Sequence, residues 1–341
     1  MTIAFLLPTP RPVDPETDAY AQEIAVLQHK FGGEILYINP NNALPRHLPF
    51  QIPRPVFGFH QMHRLHRMEK SCRFFQIYSP TLYPYPILAR LRRPVIYTLT
   101  GGAELRTRDV DFFKRLAAVT VADATSLERL RASGIENTFL VRAGINTSRF
   151  SDCPPPPGNN FHLLMASAPW TRAQFESKGV DALLAAAQKQ PDLRLTFLWR
   201  GILTEEMEER IRLSGVEEQI TLIDRRVDVN TVLGGVHATI NLATTPDIVK
   251  AQPHSLLESL AAGRPVLVSR AIPFSAYVTD TGVGEVVETV TPGDILDAIE
   301  RLRENYSARR NAAVTHGSTD FTLESMVDSF TTVYEHVTGG L

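Results

Sequence analysis

The sequence predicts an α/β protein of two domains, each a parallel β-sheet wrapped by helices. Short apolar runs that suit buried strands alternate with longer runs whose apolar residues recur at helical spacing. The alternation stops at residues 152–160, where four consecutive prolines indicate a stiff, extended connection, and then starts again. A chain of 341 residues is long enough for two domains of ordinary size.

The first domain is expected over residues 1–152. Its strands are predicted at Ile3–Leu7, Glu34–Ile38, Phe74–Tyr78, Val95–Leu99, Val119–Ala122 and Thr138–Val141. Its helices are predicted at Thr17–Lys30, Asp109–Leu116 and Thr125–Ser133.

The second domain is expected over residues 161–320. Its strands are predicted at His162–Ala166, Leu195–Leu198, Ile220–Ile223, Thr239–Leu242 and Val266–Val268, and its helices at Val180–Lys189, Glu205–Ser214 and Ser255–Ala262. The remaining residues, 321–341, contain a last helix at about 323–336. One side of this helix is apolar, so we expect it to pack back on the first domain. The ligand of such sheets binds at the carboxyl ends of the strands.

Composition and charge narrow the class of protein. Lys and Arg number 35 against 37 acids, a net charge of −2, which gives no global basic excess for nucleic acid. Two cysteines, Cys72 and Cys153, form neither a disulfide framework nor a C-x-x-C pair. The apolar run Ile3–Leu7 is too short for a signal peptide, and no run approaches the length of a membrane span. We therefore expect a cytoplasmic protein.

The most informative segment is Pro253–Ser269, predicted to be a loop, a helix and a buried strand. Ser255 is expected to cap the helix, which places Glu258 on its first turn. A helix N-terminus attracts phosphate, and a carboxylate beside it can accept hydrogen bonds from ribose hydroxyls, so the segment predicts a nucleotide. The same residues also fit the capping box S-x-x-E, in which the glutamate only closes its own helix.

Three segments resemble family-4 glycosyltransferases. Residues 256–269 are LLESLAAGRPVLVS, Ser177–Leu184 resembles the lysine–glycine helix start of the family, and Ala143–Phe150 resembles its segment before the interdomain linker. The resemblance implies the GT-B fold, in which two Rossmann-like domains face each other across a cleft. It also implies a nucleotide-sugar donor held mainly by the second domain, an acceptor on the first, and transfer with retention at the anomeric carbon.

The resemblance assigns candidate roles in donor binding. Lys178 and Arg172 would neutralise the diphosphate, and Glu258 would hold the ribose. Both cations are alternatively ordinary solvated loop residues. The full set of donor-binding candidates is Arg172, Lys178, His254, Ser255, Leu256, Leu257 and Glu258.

The sequence departs from the family at the donor sugar. The family usually has two glutamates eight positions apart, but the residue eight before Glu258 is Lys250. A cation cannot accept hydrogen bonds from sugar hydroxyls. Three explanations stay open. The donor sugar is anionic and pairs with Lys250, Asp247 takes over the role of the missing glutamate, or catalysis is lost. No catalytic nucleophile is assigned, and Lys250 and Asp247 stand as donor-sugar candidates.

A second departure lies in the first domain. The family often has a Gly-Gly pair near its first helix, whereas the loop Pro8–Asp14 has no glycine. Gly101 and Gly102 follow the strand Val95–Leu99 and would allow close backbone approach to a ligand on the acceptor side. They equally suit a tight turn.

Residues 59–73 are unusually basic. His60, His63 and His66 stand three apart among arginines and a lysine, whose repulsion disfavours a bound metal, so no metal is expected. A basic helix with apolar residues between its cations suits an acceptor phosphate or an anionic membrane surface. The alternative is a solvated amphipathic helix.

Together these features predict a metal-independent, retaining, hexosyltransferase-like glycosyltransferase whose only cofactor-like molecule is its nucleotide-sugar substrate. The acceptor would be a glycan, a lipid or a small molecule, and residues 59–73 would contact the inner membrane face. Two alternatives stay open: a catalytically silent GT-B-like module that binds a nucleotide-sugar or a protein, and a nucleotide-sugar epimerase on the same fold.

Overall fold

A computed structural model describes residues 2–12, 18–44, 51–199 and 201–339. The chain divides into two compact units: unit 1 is Met1–Gly144 with Leu323–Leu341, and unit 2 is Ile145–Thr322. The sequence placed the domain boundary later, at residue 152. Thr17, Val13 and Asp14, on which parts of the predictions fall, lie outside the described residues.

Unit 1 contains a parallel sheet of six strands within the described residues. They are β1 (Ile3–Leu7), β2 (Gly33–Tyr37), β3 (Phe74–Ser79), β4 (Val95–Leu99), β5 (Ala118–Val121) and β6 (Thr138–Leu140), in the spatial order β2-β1-β3-β4-β5-β6. Along the chain these strands alternate with helices α1 (Ala19–Phe31), α2 (Met62–Met68), α3 (Val110–Lys114) and α4 (Ala124–Ala132). Helix α1 begins where it does because the side chain of Asp18 accepts a hydrogen bond from the amide of Ala21 (2.9 Å).

Unit 2 repeats the architecture, again with six parallel strands among the described residues. They are β7 (Phe161–Met165), β8 (Leu193–Leu198), β9 (Ile220–Ile223), β10 (Ala238–Asn241), β11 (Val266–Ser269) and β12 (Gly284–Val287), in the order β12-β11-β10-β7-β8-β9. Its helices are α5 (Gln174–Ser177), α6 (Val180–Lys189), α7 (Thr204–Ser214), α8 (Val229–Gly234), α9 (His254–Ala261), α10 (Phe274–Thr281), α11 (Pro292–Glu304) and α12 (Tyr306–Gly317).

The last helix, α13 (Leu323–Thr338), belongs to unit 1. Its buried side chains Met326, Phe330 and Val333 join an apolar cluster with residues of β1 and β3. The hydroxyl of Tyr334 donates to Gln76 Oε1 of β3 at 2.6 Å, inside this buried layer. The C-terminal segment thus completes the core of the unit that begins the chain.

The proline-rich run lies within unit 2 and is held there by side chains. Arg310 forms an ion pair with Asp152 and donates to the carbonyl of Cys153 at 3.2 Å. The fully buried Arg264 donates to the carbonyl of Pro154 at 3.0 Å. These bonds fix the extended backbone, which proline itself cannot tie down with amide hydrogens.

Candidate functional site

The unit 2 sheet has a topological switch point between β7 and β10. From β7 the chain runs outward to β8 and β9 on one side, and it then returns to β10 on the other. The loops at 166–173 and 242–253 therefore leave from neighbouring strand ends at the carboxyl edge. In open parallel sheets, ligands bind at this point.

Lys178 lies where these two loops meet. Its side chain is buried, with 5% exposed, and its Nζ donates to Ser167 Oγ (3.3 Å) and to the carbonyl of Ala168 (3.2 Å), both in the first loop. The amide of Thr244, in the second loop, donates to the carbonyl of Ser177 at 2.9 Å. The structure therefore holds this cation at the switch point by contacts from the loop after β7.

Gly179 makes this arrangement possible. It has φ of +68°, a left-handed conformation that glycine adopts without penalty, and it directly precedes α6. A Cβ at this position would lie 2.7 Å from side-chain atoms of Leu242 and Val290. The glycine of the lysine–glycine pair is thus required by packing, and the pair is also a candidate binding motif.

Arg172 lies in a different environment. Its side chain is exposed, and its Nε lies 3.3 Å from Glu206 of α7. Glu206 also pairs with Arg210 (3.1 Å), which contacts Asp181 at 2.6 Å. A role for Arg172 at a diphosphate would require the contact with Glu206 to open.

The start of α9 differs from the prediction. The helix begins at His254 and its N-cap is Pro253, which makes no side-chain cap. The carbonyl of Pro253 initiates the helix by accepting from the amides of Leu256 (3.0 Å) and Leu257 (3.3 Å). Ser255 is the second helical residue, so the capping-box interpretation is wrong, and Glu258 lies in the second turn rather than the first.

This start also changes which amides face a ligand. Of the three amides predicted to bind phosphate, those of Leu256 and Leu257 already donate within the protein. The amides of the first helical residues have no acceptor inside the helix. Of the three predicted amides, that of Ser255 is therefore the one suited to bind an anion. Glu258 and His254 are both half-buried at this end of the sheet.

The two donor-sugar candidates lie on the loop between β10 and α9. Asp247 is exposed and Lys250 is half-buried. The end of this loop is buried at Ala251, Gln252 and Pro253, so Lys250 stands just before a fixed approach to the helix.

Sequence reasoning missed three features of this edge. Trp170, in the loop after β7, is 59% exposed, and its backbone amide donates to Gln174 Oε1 at 2.7 Å. Asn241 Oδ1 and Thr239 Oγ1, both on β10, are buried and have no hydrogen-bond partner in the part of the chain that the structure describes. A tryptophan two residues before Arg172, in a loop that follows a predicted strand, was a readable signal for Trp170, whereas nothing local marked the two β10 atoms.

In unit 1, Gly101 is required by close packing. A Cβ there would lie 2.2 Å from the carbonyl oxygen of Pro80, and the preceding amide of Thr100 donates to Ser79 at 3.0 Å. Gly102 is half-buried and its carbonyl accepts from the amide of Glu104 at 3.0 Å. This geometry favours the tight-turn interpretation of the pair.

The described residues contain no cluster of three or more His, Cys, Asp or Glu side chains placed to hold a metal ion. Of the three histidines near residue 60, His63 contacts Arg67, with 3.0 Å between His63 Nε2 and Arg67 Nη2.

Comparison with known proteins finds a family model that matches part of unit 2. Residues 171–315 match the family model described as glycosyl transferases group 1, a stretch that lies inside unit 2 and includes Lys178 and α9. A D-inositol 3-phosphate glycosyltransferase from Arthrobacter sp. (strain FB24) is 24% identical over 256 residues. That match covers 65% of this chain, and the chain spans 59% of the length of that relative.

Solved structures show the fold. A glycosyltransferase from Rickettsia africae superposes with a TM-score of 0.72 at 12% identity and covers 98% of both chains. Anabaena HepE, solved in complex with UDP and glucose, gives a TM-score of 0.68 at 15% identity, with 98% of this chain and 99% of that chain covered. The chain therefore has the GT-B type of fold, with two α/β units.

Proposed function

We propose that the chain is a glycosyltransferase that takes a sugar from a nucleotide-sugar donor and transfers it to an acceptor hydroxyl with retention of anomeric configuration. The observation that carries the proposal is the buried Lys178, held at the switch point of a GT-B second unit by Ser167 and Ala168. The match of residues 171–315 to the group 1 glycosyl transferases and the UDP complex of the similar HepE support it.

The diphosphate would bind between the Lys178 ammonium and the first amides of α9. An ammonium held in a largely buried position is a strong, pre-oriented donor to phosphate oxygens. As the sugar departs, negative charge grows on the diphosphate, and the same cation stabilises it. Bond cleavage would be assisted by the acceptor hydroxyl on the same face as the leaving group, and no protein nucleophile is required.

Arg172 would join the site by exchanging Glu206 for a phosphate. This exchange costs little free energy, because the arginine side of the pair is exposed to solvent and such ion pairs contribute less than about 1 kcal/mol to stability. His254 would donate to a phosphate oxygen from the first position of α9.

Binding of UDP and of inorganic pyrophosphate, measured by calorimetry, tests the roles separately. Lys178→Met removes one charge-assisted contact and should weaken both ligands by about 10- to 150-fold. Lys189→Met, at the exposed last residue of α6, is the matched control and should change neither. Glu258→Gln should weaken UDP but not pyrophosphate, because pyrophosphate has no ribose.

Thermal unfolding of each variant separates loss of binding from loss of folding. If Lys178→Met remains folded and binds UDP as the wild type does, the donor site is wrong. If UDP binds tightly but no labelled nucleotide-sugar is hydrolysed or transferred, the catalytically silent module replaces the transferase.

The donor sugar can be tested with a neutral and an anionic pair, UDP-glucose and UDP-glucuronate. If Lys250 pairs with a sugar carboxylate, the wild type should prefer UDP-glucuronate and Lys250→Glu should reverse the preference. An unchanged preference places Lys250 outside the donor pocket and leaves Asp247 as the candidate.

A further inference from the structure

The charge of unit 1 is concentrated in one segment. Residues 51–94 contain eight Lys and Arg against a single acid, a net charge of +7 in a chain whose net charge is −2. All eight cations are exposed: Arg54, Arg64, Arg67, Lys70, Arg73, Arg90, Arg92 and Arg93. We call the exposed surface of this segment the basic face.

The one acid of the segment is turned inward. Glu69 is 9% exposed, and its Oε1 accepts from the backbone amide of Arg92 at 2.6 Å. Its backbone carbonyl accepts from Arg93 Nε at 3.0 Å. Glu69 therefore ties residues 90–93 to the end of α2, so that two stretches distant in sequence form one surface.

Apolar packing beneath the basic face fixes which side is outward. Phe57, Leu65 and Met68 are buried in one cluster with Ile87 and Leu88 from the second stretch. Gly58, at φ of +86°, lies so close that a Cβ would be 2.9 Å from the Ile87 side chain. With the apolar side chains buried below, the cations project to solvent.

Two large apolar side chains nevertheless remain exposed beside these cations. Val56 is 43% exposed and Phe59 is 39% exposed. Both lie within two residues of the buried Phe57 and within five residues of Arg54 in sequence. An exposed aromatic among arginines and lysines has the composition of a surface that lies at a lipid headgroup layer, with cations on the phosphates and the ring in the acyl boundary.

We propose that the basic face binds the surface of a membrane that contains anionic phospholipids. Each Lys or Arg near such a surface strengthens binding by about fivefold, so eight exposed cations together would bind the membrane surface far more tightly than a single cation. One nearby acid, Glu34, lies 4.0 Å from Arg64 and is itself exposed, so it screens only one edge. The described part of the chain has no helix long and apolar enough to cross a bilayer. This inference does not rest on the proposed transferase activity.

Sedimentation of the full chain with vesicles tests the proposal. Vesicles of phosphatidylcholine alone should not bind, whereas those with about a third phosphatidylglycerol should bind at about 50 mM salt and release the protein at about 500 mM, where charges are screened. Arg64→Gln, Arg67→Gln and Lys70→Gln combined should weaken binding by roughly 100-fold. The matched control combines Arg106→Gln, Lys114→Gln and Arg115→Gln, three exposed cations of the same unit outside the segment, and should bind as the wild type does.

Phe59→Ser tests the apolar part of the surface. It should weaken binding at both salt concentrations, because insertion of the ring does not depend on charge. Circular dichroism of each variant confirms that it is folded.

Several results would overturn the proposal. These are no binding to anionic vesicles, equal binding to neutral vesicles, or an equal loss in the control variant. Displacement from vesicles by a single-stranded RNA at equal phosphate concentration, with the same dependence on Arg64, Arg67 and Lys70, would assign the face to nucleic acid instead. UDP binding is measured in parallel on each variant, so failure here is distinguishable from failure of the donor site.

Discussion

Gly179 offers the sharpest test of how the donor site is built, because the chain contains a natural control for it. Gly179 and Gly215 are both at helix ends with left-handed backbones, at φ of +68° and +64°. A Cβ at Gly179 would meet Leu242 and Val290 at 2.7 Å, whereas a Cβ at Gly215 would meet nothing within 4 Å. Substitution by alanine therefore imposes the same backbone strain at both sites and a steric clash at only one.

The expected magnitudes follow from these two terms. A left-handed conformation costs an alanine about 1 kcal/mol, so Gly215→Ala should reduce the free energy of unfolding by about that much. At Gly179 the clash includes Leu242 Cβ at 2.9 Å, an atom that cannot rotate away. Overpacking of this kind adds about 1–3 kcal/mol, so Gly179→Ala should cost about 2–4 kcal/mol in total.

Urea unfolding followed by tryptophan fluorescence measures both variants in the relevant unit. The two tryptophans of the chain, Trp170 and Trp199, are both in unit 2, and Trp199 is buried. The signal therefore reports unfolding of unit 2 without contribution from unit 1. Equal destabilisation by the two substitutions would refute the close packing of the lysine–glycine turn against the loop after β10.

Two further predictions concern the side chains around the proline-rich run. Burial, and after it the nearby His162 and Arg264, lowers the pKa of His237 from 6.5 to about 4. Below pH 6.5 the unfolded state therefore binds more protons than the folded state. The free energy of unfolding should fall as the pH drops toward 4, by roughly 2 kcal/mol after solvent screening. His237→Asn, which retains an acceptor for the amide of His162, should flatten that dependence in urea unfolding, and an unchanged slope would assign it to another group. Arg264→Met should lower the unfolding free energy by about 2–4 kcal/mol, because it removes the charge-assisted hydrogen bonds to the carbonyls of Leu233, Pro154 and Gly234, and a loss below about 1 kcal/mol would show that water replaces the guanidinium.

Most of the sheet architecture could be predicted from local pattern. The predicted strands of unit 1 agree with β1 to β6 to within one residue at each end, because buried parallel strands are short apolar runs between turn residues. No prediction covered β12 and α10 to α12. Strand β12 is only four residues, Gly284–Val287, and includes the charged Glu285, so its apolar signal is weak. Helix α11 did carry a readable signal, since Thr291 caps it and Pro292 occupies its first position.

The candidate site was predictable where it depends on neighbours in sequence. Lys178 follows from the lysine–glycine pair and the helix start beside it. Arg172 is different, because its partner Glu206 comes from α7, and no local pattern indicates that contact. The start of α9 was misplaced by one residue because Ser255 and Glu258 imitate a capping box while the carbonyl of Pro253 begins the helix.

The corrected start of α9 strengthens rather than weakens the case for Glu258 as a ribose ligand. With Ser255 inside the helix, the capping box does not account for the position of Glu258. Side chains in an α-helix lean toward its N-terminus, and residues three and four apart share a face. A glutamate in the second turn therefore reaches back over His254 and Ser255, to the end where the amide of Ser255 is suited to phosphate. A carboxylate in the first turn would compete with that phosphate for the same amides, whereas a carboxylate one turn further along the helix lies farther from them.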